Sequence, residues 1–429
     1  MKKIISLTLA LIILAVTLIV PASATPAIGR YPDKDSFVTD YPYVFVHGMG
    51  GWGPANSYYD LSPYWGGGLG TSDEDLLFLL NTHGVEAYGV QVGPLSSAWD
   101  RACEIYAQLT GTVTDYGEAH SKAHGHDRYG FSYEGKPLMG KAWNINDKIN
   151  LVGHSFGGAT VRLFTSLMAF GNEAEIKATG KDTSPLFTGG HKSVHSCITL
   201  SAPHNGTQVS NILYDLKLPF LFLTFAYNLV GATFGNNYMV FSMQMSHFGL
   251  TPKQNQKRTF INPVKIFNYY KAADNCYEDM TLRGARALNE TIKLSPDTYY
   301  YSYSTAATEP TGIGGRQKII DTVTPIFTIS SNLIAFSEGK TYDGVKIEGD
   351  WAVNDGIVPL ASALYPECDK ATATDYEDAL AKGEKIQKGR WYYMDTMVGM
   401  DHFDFCGTQD YPTSFEDFYY TMIETANSR

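Results

Sequence analysis

Cysteine is scarce in this 429-residue chain, with only Cys103, Cys197, Cys276, Cys368 and Cys406, and no C-x-x-C pair among them. So sparse and odd a set excludes a disulfide framework and a zinc ribbon; none or one bridge is expected. Internal repeats and low-complexity linkers are also missing, which points to one elaborated domain rather than an array. Basic residues are outnumbered, 33 Lys+Arg against 44 Asp+Glu, for a formal net charge of −11. That balance disfavours nucleic acid and anionic membranes as partners while leaving an uncharged substrate open. Past the N-terminus no apolar run is long enough for a membrane span. The segment 216–241 is strongly apolar but is broken by Pro219, Asn228, Gly231 and Gly235 and has no basic flanks. It reads as a buried core helix or, preferably, as a mobile lid over an apolar cleft, in a lid region of about 211–250.

The chain opens on Lys2 and Lys3, runs apolar from Ile4 to Val20 and continues Pro21-Ala22-Ser23-Ala24. A short basic start, an apolar stretch and an A-x-A site make a secretory signal peptide cleaved after Ala24. The alternative is a membrane anchor, against which the A-x-A site and the polar sequence that follows both argue. The expectation is therefore an exported protein whose residues 25–429 form a single domain.

Strand-like and helix-like segments alternate. Tyr43 to Val46 leads into the glycine-rich His47-Gly48-Met49-Gly50-Gly51-Trp52-Gly53, and Val85 to Val90 follows an amphipathic stretch from Glu74 to Leu80. Val194 to Leu200 is nearly all apolar, and Thr298 to Ser304 and Trp391 to Met397 alternate. The predicted class is α/β, a mostly parallel central sheet covered by helices on both faces. The segment from Ser96 to Trp143, long and without clear periodicity, reads as an insertion.

The chemistry concentrates in Ile149-Asn150-Leu151-Val152-Gly153-His154-Ser155-Phe156-Gly157-Gly158. An apolar run enters a G-x-S-x-G turn and the helix-compatible Ala159 to Phe164 leaves it, which is the context of a nucleophile elbow. The bare pattern also fits an ordinary Gly-rich strand-to-helix turn; the flanks on both sides favour the catalytic reading. A serine hydroxyl needs a base, and the base needs a carboxylate to orient it. In the chain order Ser…Asp…His, Asp355 in Asn354-Asp355-Gly356-Ile357-Val358-Pro359 is the acid candidate, and a simple turn aspartate is its equal alternative. His402 is the only histidine after His247, so the order leaves it as the base. The N–H groups of Phe156 and Met49 are the expected oxyanion donors. Read on its own, the stretch His120-Ser121-Lys122-Ala123-His124-Gly125-His126 is by preference a solvated histidine-rich loop, because its spacing matches no zinc template; the alternative is a tetrahedral zinc site closed by two of its imidazoles and carboxylates from elsewhere.

These blocks together resemble the secreted gram-positive lipases, namely the staphylococcal lipases and, more closely, the zinc-containing thermoalkalophilic ones. The resemblance covers nearly the whole chain past the leader. It rests on His47-Gly48 through Trp52-Gly53, Val92-Gly93-Pro94-Leu95-Ser96-Ser97 with Trp99-Asp100-Arg101-Ala102-Cys103, Asp115-Tyr116-Gly117, Ser201-Ala202-Pro203-His204-Asn205-Gly206-Thr207 and Asn354 to Val358. It implies an α/β-hydrolase fold, a triad of Ser155, Asp355 and His402, and zinc ligands at Asp100, His120, His126 and Asp279. Glu278 competes with Asp279, and His124 is a bystander. A calcium site is implied at Asp404 and Asp410. Two departures stand out: Phe156 replaces the glutamine of the thermoalkalophilic lipases, and Asn211 to Leu250 aligns poorly. The function expected is that of a triacylglycerol lipase acting on water-insoluble esters, with aliphatic polyester chains as an extension. The rivals are an esterase for short soluble esters and a non-catalytic surface-binding protein on the same fold.

Overall fold

Strands rich in apolar and small residues, with polar ones buried among them, fill the middle of the sheet on both faces. Tyr43–Val46 (β1), Ile149–His154 and Val194–Leu200 are buried at every position. The computed structural model describes residues 39–55, 59–60, 62–67, 75–216, 243–251, 263–311, 316–321, 323–408 and 415–427. After β1 come Ala87–Gly89 (β2), Ile149–His154 (β3), Val194–Leu200 (β4), Tyr299–Tyr303 (β5), Thr374–Asp375 (β6) and Trp391–Tyr393 (β7). They form one seven-stranded sheet in the order β6-β7-β5-β4-β3-β1-β2, and every neighbouring pair is parallel.

Parallel neighbours need crossovers, and helices supply them. Leu76–Thr82 (α1) joins β1 to β2. Ala98–Thr110 (α2) and the short Glu118–His124 (α3) lie between β2 and β3, Phe156–Phe170 (α4) joins β3 to β4, and Phe415–Asn427 (α5) ends the described chain. Alternation along each strand divides the core in two. Val44, Val46, Leu151, Cys197, Tyr300 and Trp391 share one cluster with residues of α2 and α4. Tyr43, Phe45, Val152, Ile198, Tyr301 and Tyr392 share the other with residues of α1 and α5. The sheet is therefore covered on both faces.

The structure departs from the sequence reading in places. The stretch from Ser96 to Trp143 contains the regular helix α2, capped at one end by the Ser97 side chain and closed by Gly111 in the left-handed region (φ 66°). The strand expected over Val85 to Val90 shortens to β2, and the one expected from Trp391 to Met397 stops at Tyr393. All five cysteines are free thiols. The leader and its cleavage site lie outside the described residues, as does most of the expected lid. Among the described residues no helix is long and apolar enough to cross a membrane.

The turn from β3 to α4 tolerates no added carbon. A Cβ on Gly157 would land on the Val46 carbonyl oxygen of β1, and one on Gly153 would land on the Gly157 carbonyl. Both obstacles are backbone and cannot swing aside. Gly157→Ala should lower the unfolding free energy by about 3 kcal/mol, read as a shift in the urea midpoint. An unchanged midpoint would contradict this packing.

Candidate functional site

Ser155 sits between β3 and α4 with φ 55° and ψ −129°, a conformation rare for a residue with a side chain. The strain is held from several sides. Ser155 N–H donates to Leu200 O on β4 at 2.8 Å, and Gly158 N–H donates back to Ser155 O at 2.9 Å. The helix start places the Phe156 N–H directly behind the serine, at the positive end of α4. The glycine-rich loop after β1 comes very close: a Cβ on Gly48 would be 2.8 Å from Ser155 Cβ and 3.2 Å from Oγ. Only glycine lets the Met49 segment approach Ser155 this closely.

Asp355 and His402 meet although 47 residues separate them. His402 Nδ1 is 2.7 Å from Asp355 Oδ2, and both residues are buried. The other carboxylate oxygen accepts N–H bonds from Ile357 at 3.0 Å and Val358 at 2.8 Å, the Asp-Gly turn folding back on its own side chain. His402 N–H also donates to the Asp355 carbonyl at 2.8 Å, so main chain and side chain fix the pair together. With the carboxylate accepting at Nδ1, the proton of the neutral ring belongs there, and Nε2 is left as the acceptor.

A second histidine, which the sequence reading passed over, ties His402 to the elbow. His154 Nε2 lies 2.9 Å from the His402 carbonyl, and its Nδ1 lies 2.6 Å from the Tyr64 hydroxyl. A carbonyl can only accept, so Nε2 donates. Burial, with the nearby His402 adding to it, holds the His154 pKa well below the usual histidine range. The neutral ring thus accepts the Tyr64 proton at Nδ1. Tyr64 in turn accepts the Gly48 N–H at 2.9 Å. One directional chain of hydrogen bonds therefore runs from the Gly48 loop to the backbone of His402. The signal for it was adjacency: His154 immediately precedes Ser155.

A separate cluster forms where α3 folds over the start of α2. Gly117 (φ 90°) and Gly125 (φ 75°) bound α3, and the Glu175 carboxylate accepts the N–H groups of Ala119 and His120 at 3.0 and 2.7 Å. This short, tightly capped helix presents His120, and the left-handed turn at Gly125 brings His126 back beside it. Asp100, His120, His126 and Asp274 each offer an atom within 4.8 Å of the others. His120 Nε2 lies 3.5 Å from Asp100 Oδ1 and 3.1 Å from Asp274 Oδ2. His126 Nε2 lies 3.1 Å from Asp274 Oδ2 but off the line of a hydrogen bond, and both it and Asp100 Oδ1 are buried with no hydrogen-bond partner among the described residues. Such atoms converge on a point between them rather than on one another. Burial opposes a charge on His120, yet Asp274 and Asp100 override it and push its pKa up to about 10. Two buried carboxylates here call for a cation, and two imidazoles with two carboxylates form a fitting donor set for zinc.

The fourth member of this group is Asp274, not Asp279. Asp279 ends the short helix Cys276–Asp279 and accepts the Ala98 N–H at 2.8 Å, capping the first turn of α2. Burial, with Asp274 nearby, pushes its carboxyl up to about 7. Glu278 pairs with Arg283 at 2.9 Å, and His124 Nδ1 faces the Ala272 carbonyl at 3.0 Å. The sequence reading also missed His247, whose Nε2 lies 2.8 Å from Asp100 Oδ2.

Asp404 belongs to no such cluster among the described residues, and Asp410 lies outside them. The Asp404 carboxylate accepts from Asp401 N–H at 2.6 Å and Thr408 Oγ1 at 2.8 Å. Burial, with the like charge of Asp401, pushes its pKa up to about 7.

Comparison with known proteins supplies the family. Residues 39–426 match the family described as "Lipase-like, C-terminal domain". The chain is 33% identical over 407 residues to Lipase 1 of Staphylococcus aureus, covering 92% of this chain and 55% of that protein. It is 35% identical over 394 residues to a lipase of Staphylococcus epidermidis, covering 89% and 53%. The chain thus spans about half the length of these curated relatives. Among solved structures, EstA from Clostridium botulinum is similar at 31% identity and a TM-score of 0.73, over 96% of this chain and 93% of that one. The Staphylococcus hyicus lipase matches at 29% and 0.73, over 95% and 100%, and Lipase 1 from Pelosinus fermentans at 32% and 0.70, over 91% and 100%. On an all-parallel sheet with a serine elbow, and with these relatives, the chain belongs to the lipase-like family of the α/β-hydrolase superfamily.

Proposed function

We propose that this chain is an exported serine carboxylester hydrolase acting on water-insoluble esters, triacylglycerols foremost. The observation that carries the reading is the buried 2.7 Å Asp355–His402 bond, joined through His154 to the strained Ser155 turn. Ser155 Oγ attacks the ester carbonyl while His402 Nε2 takes its proton. Asp355 keeps the imidazole in the required tautomer and stabilises its cation. The Met49 and Phe156 N–H groups receive the oxyanion. His402 then protonates the leaving alcohol, and water repeats the sequence on the acyl-enzyme. Phe156 retains the needed N–H, its ring packed in the core beside the Arg101 guanidinium. Secretion after cleavage near Ala24, a single domain over 25–429, a lid within 211–250 and the extension to aliphatic polyesters are parts of the same reading.

Asp100, His120, His126 and Asp274 would hold a zinc ion, with His247 orienting Asp100 from behind. Four protein ligands leave no position for water, so the ion would be structural, tying α3 to the start of α2. Calcium at Asp404 and Asp410 remains part of the proposal through the family resemblance.

Hydrolysis of p-nitrophenyl esters of increasing chain length, and of emulsified triacylglycerol, tests the reading. Ser155→Ala should abolish turnover with folding intact, and Asp355→Asn should lower kcat by about 10⁴-fold. Residual Ser155→Ala activity within about tenfold of wild type would sink the assignment. Serine-dependent cleavage confined to short soluble esters would make the protein an esterase.

The metal reading has its own check. A chelator should lower the thermal midpoint while the initial rate at 25 °C persists. Asp274→Ala should reduce the zinc retained after dialysis, and Asp279→Asn should retain it. The reverse order of the two variants would overturn the assignment of Asp274.

A further inference from the structure

The backbone of the loop after β1 is held at successive groups, and two of the holds come from one buried side chain. Arg101, in the first turn of α2, donates from Nη1 to Gly48 O at 3.3 Å and from Nη2 to His47 O. Gly48 O has a second donor. Val92 N–H donates to His47 Nε2 at 3.3 Å, so the neutral ring carries its proton on Nδ1 and gives it to Gly48 O at 2.9 Å. Burial, reinforced by the Arg101 cation, keeps that ring neutral by pushing its pKa down to about 3. On the other side, Gly48 N–H is taken by Tyr64.

Burying a guanidinium is costly, and an apolar side chain would fill a core position more favourably. Arg101 is wholly buried, and among the described residues its hydrogen bonds go to main-chain carbonyls and its Nε finds no partner. What a rigid planar fork can do here, and an apolar residue cannot, is fix two consecutive carbonyls at once. The consequence falls on the next N–H. In a trans peptide the carbonyl of one residue and the N–H of the following one point in opposite directions. Turning Gly48 O toward Arg101 therefore turns the Met49 N–H away from it, on a loop whose Gly48 lies against Ser155. The guanidinium also lies 5.1 Å from the ring centroid of Phe156, whose N–H is the other oxyanion donor.

We propose that Arg101 is a positioning residue for the oxyanion hole, acting through the His47–Gly48 backbone to aim the Met49 N–H at the developing charge. The inference rests on the serine hydrolase reading above. The experiment compares Arg101→Lys and Arg101→Met with wild type in the full chain. It measures kcat and KM on p-nitrophenyl butyrate, thermal midpoints, retained zinc, and binding of two ligands. One is an alkyl trifluoromethyl ketone, to whose carbonyl carbon Ser155 Oγ adds. The serine proton passes to His402, and the ketone oxygen becomes an oxyanion. The other is the matching methyl ketone, which binds without forming that charge.

In Arg101→Met, kcat should fall by at least about tenfold, with KM changed by less than about twofold. Fluoroketone affinity should weaken in step with kcat, and methyl ketone affinity should hold. Arg101→Lys, which keeps the charge without the fork, should fall between the two. If Arg101→Met fails to fold, the Lys variant decides by the same ratio of ligand affinities. A lowered midpoint with wild-type kcat and fluoroketone affinity would make Arg101 an ordinary core residue and overturn the proposal. Equal weakening of both ketones, or a loss of kcat that tracks loss of zinc, would overturn it too. Ester cleavage surviving in Ser155→Ala would instead overturn the serine hydrolase reading, and the proposal for Arg101 with it.

Discussion

Ser155 is held in a left-handed, strained conformation, and much of the surrounding structure exists to hold it there. The turn closes only because Gly153, Gly157 and Gly158 put no carbon where the backbone of β1, the elbow itself and Ala202 already lie. The buried parallel strands β1, β3 and β4 supply the rigid frame, since their ladder bonds fix where the elbow emerges. Strain of this kind costs on the order of 1–3 kcal/mol and persists only when its surroundings over-determine it. In return the serine side chain projects from the sheet with a helix N-terminus behind it.

Around that turn the polar groups are arranged so that few are left to water. The Gly48 loop, Tyr64, His154 and His402 form one chain of hydrogen bonds whose directions follow from the chemistry of each partner. Asp355 is satisfied by two N–H groups and one imidazole. These three bonds satisfy the carboxylate where no water reaches it and hold it in one orientation against the imidazole. The opening turn of α2 serves two purposes at once: Asp100 faces the cluster with His120, His126 and Asp274, while Arg101 faces the loop beside Ser155. Consecutive side chains on a helix point about 100° apart, so one turn reaches both places.

The fold class and the residues nearest the chemistry were legible because they leave local marks. Ser155 announces itself by glycines before and after it, and the absence of any histidine past His247 other than His402 reduces the base to one candidate. Asp355 was legible as a turn, and its pairing with His402 depends on contacts across the fold that no local spacing encodes. Asp274 was missed for the same reason. It precedes a short helix capped by Asn275, and Asp279 at the far end of that helix carries an equally plausible local pattern. Only the packing of this segment against α2 decides which carboxylate meets the histidines. His247 and Arg101 act at a distance, one on Asp100 and the other on backbone carbonyls, and neither role has a sequence signature. The helix α2 was hidden by the glycines and histidines that follow it, although its Ser97 cap and closing Gly111 stand in the sequence.

The most direct test of the central claim is covalent. The protein is treated with a p-nitrophenyl alkylphosphonate, and the modified peptide is identified by mass spectrometry. The account predicts one equivalent of adduct on Ser155, with labelling slowed greatly in His402→Ala and absent in Ser155→Ala. Adduct on another residue, or none on a folded protein under conditions that label an unrelated serine esterase, would contradict it.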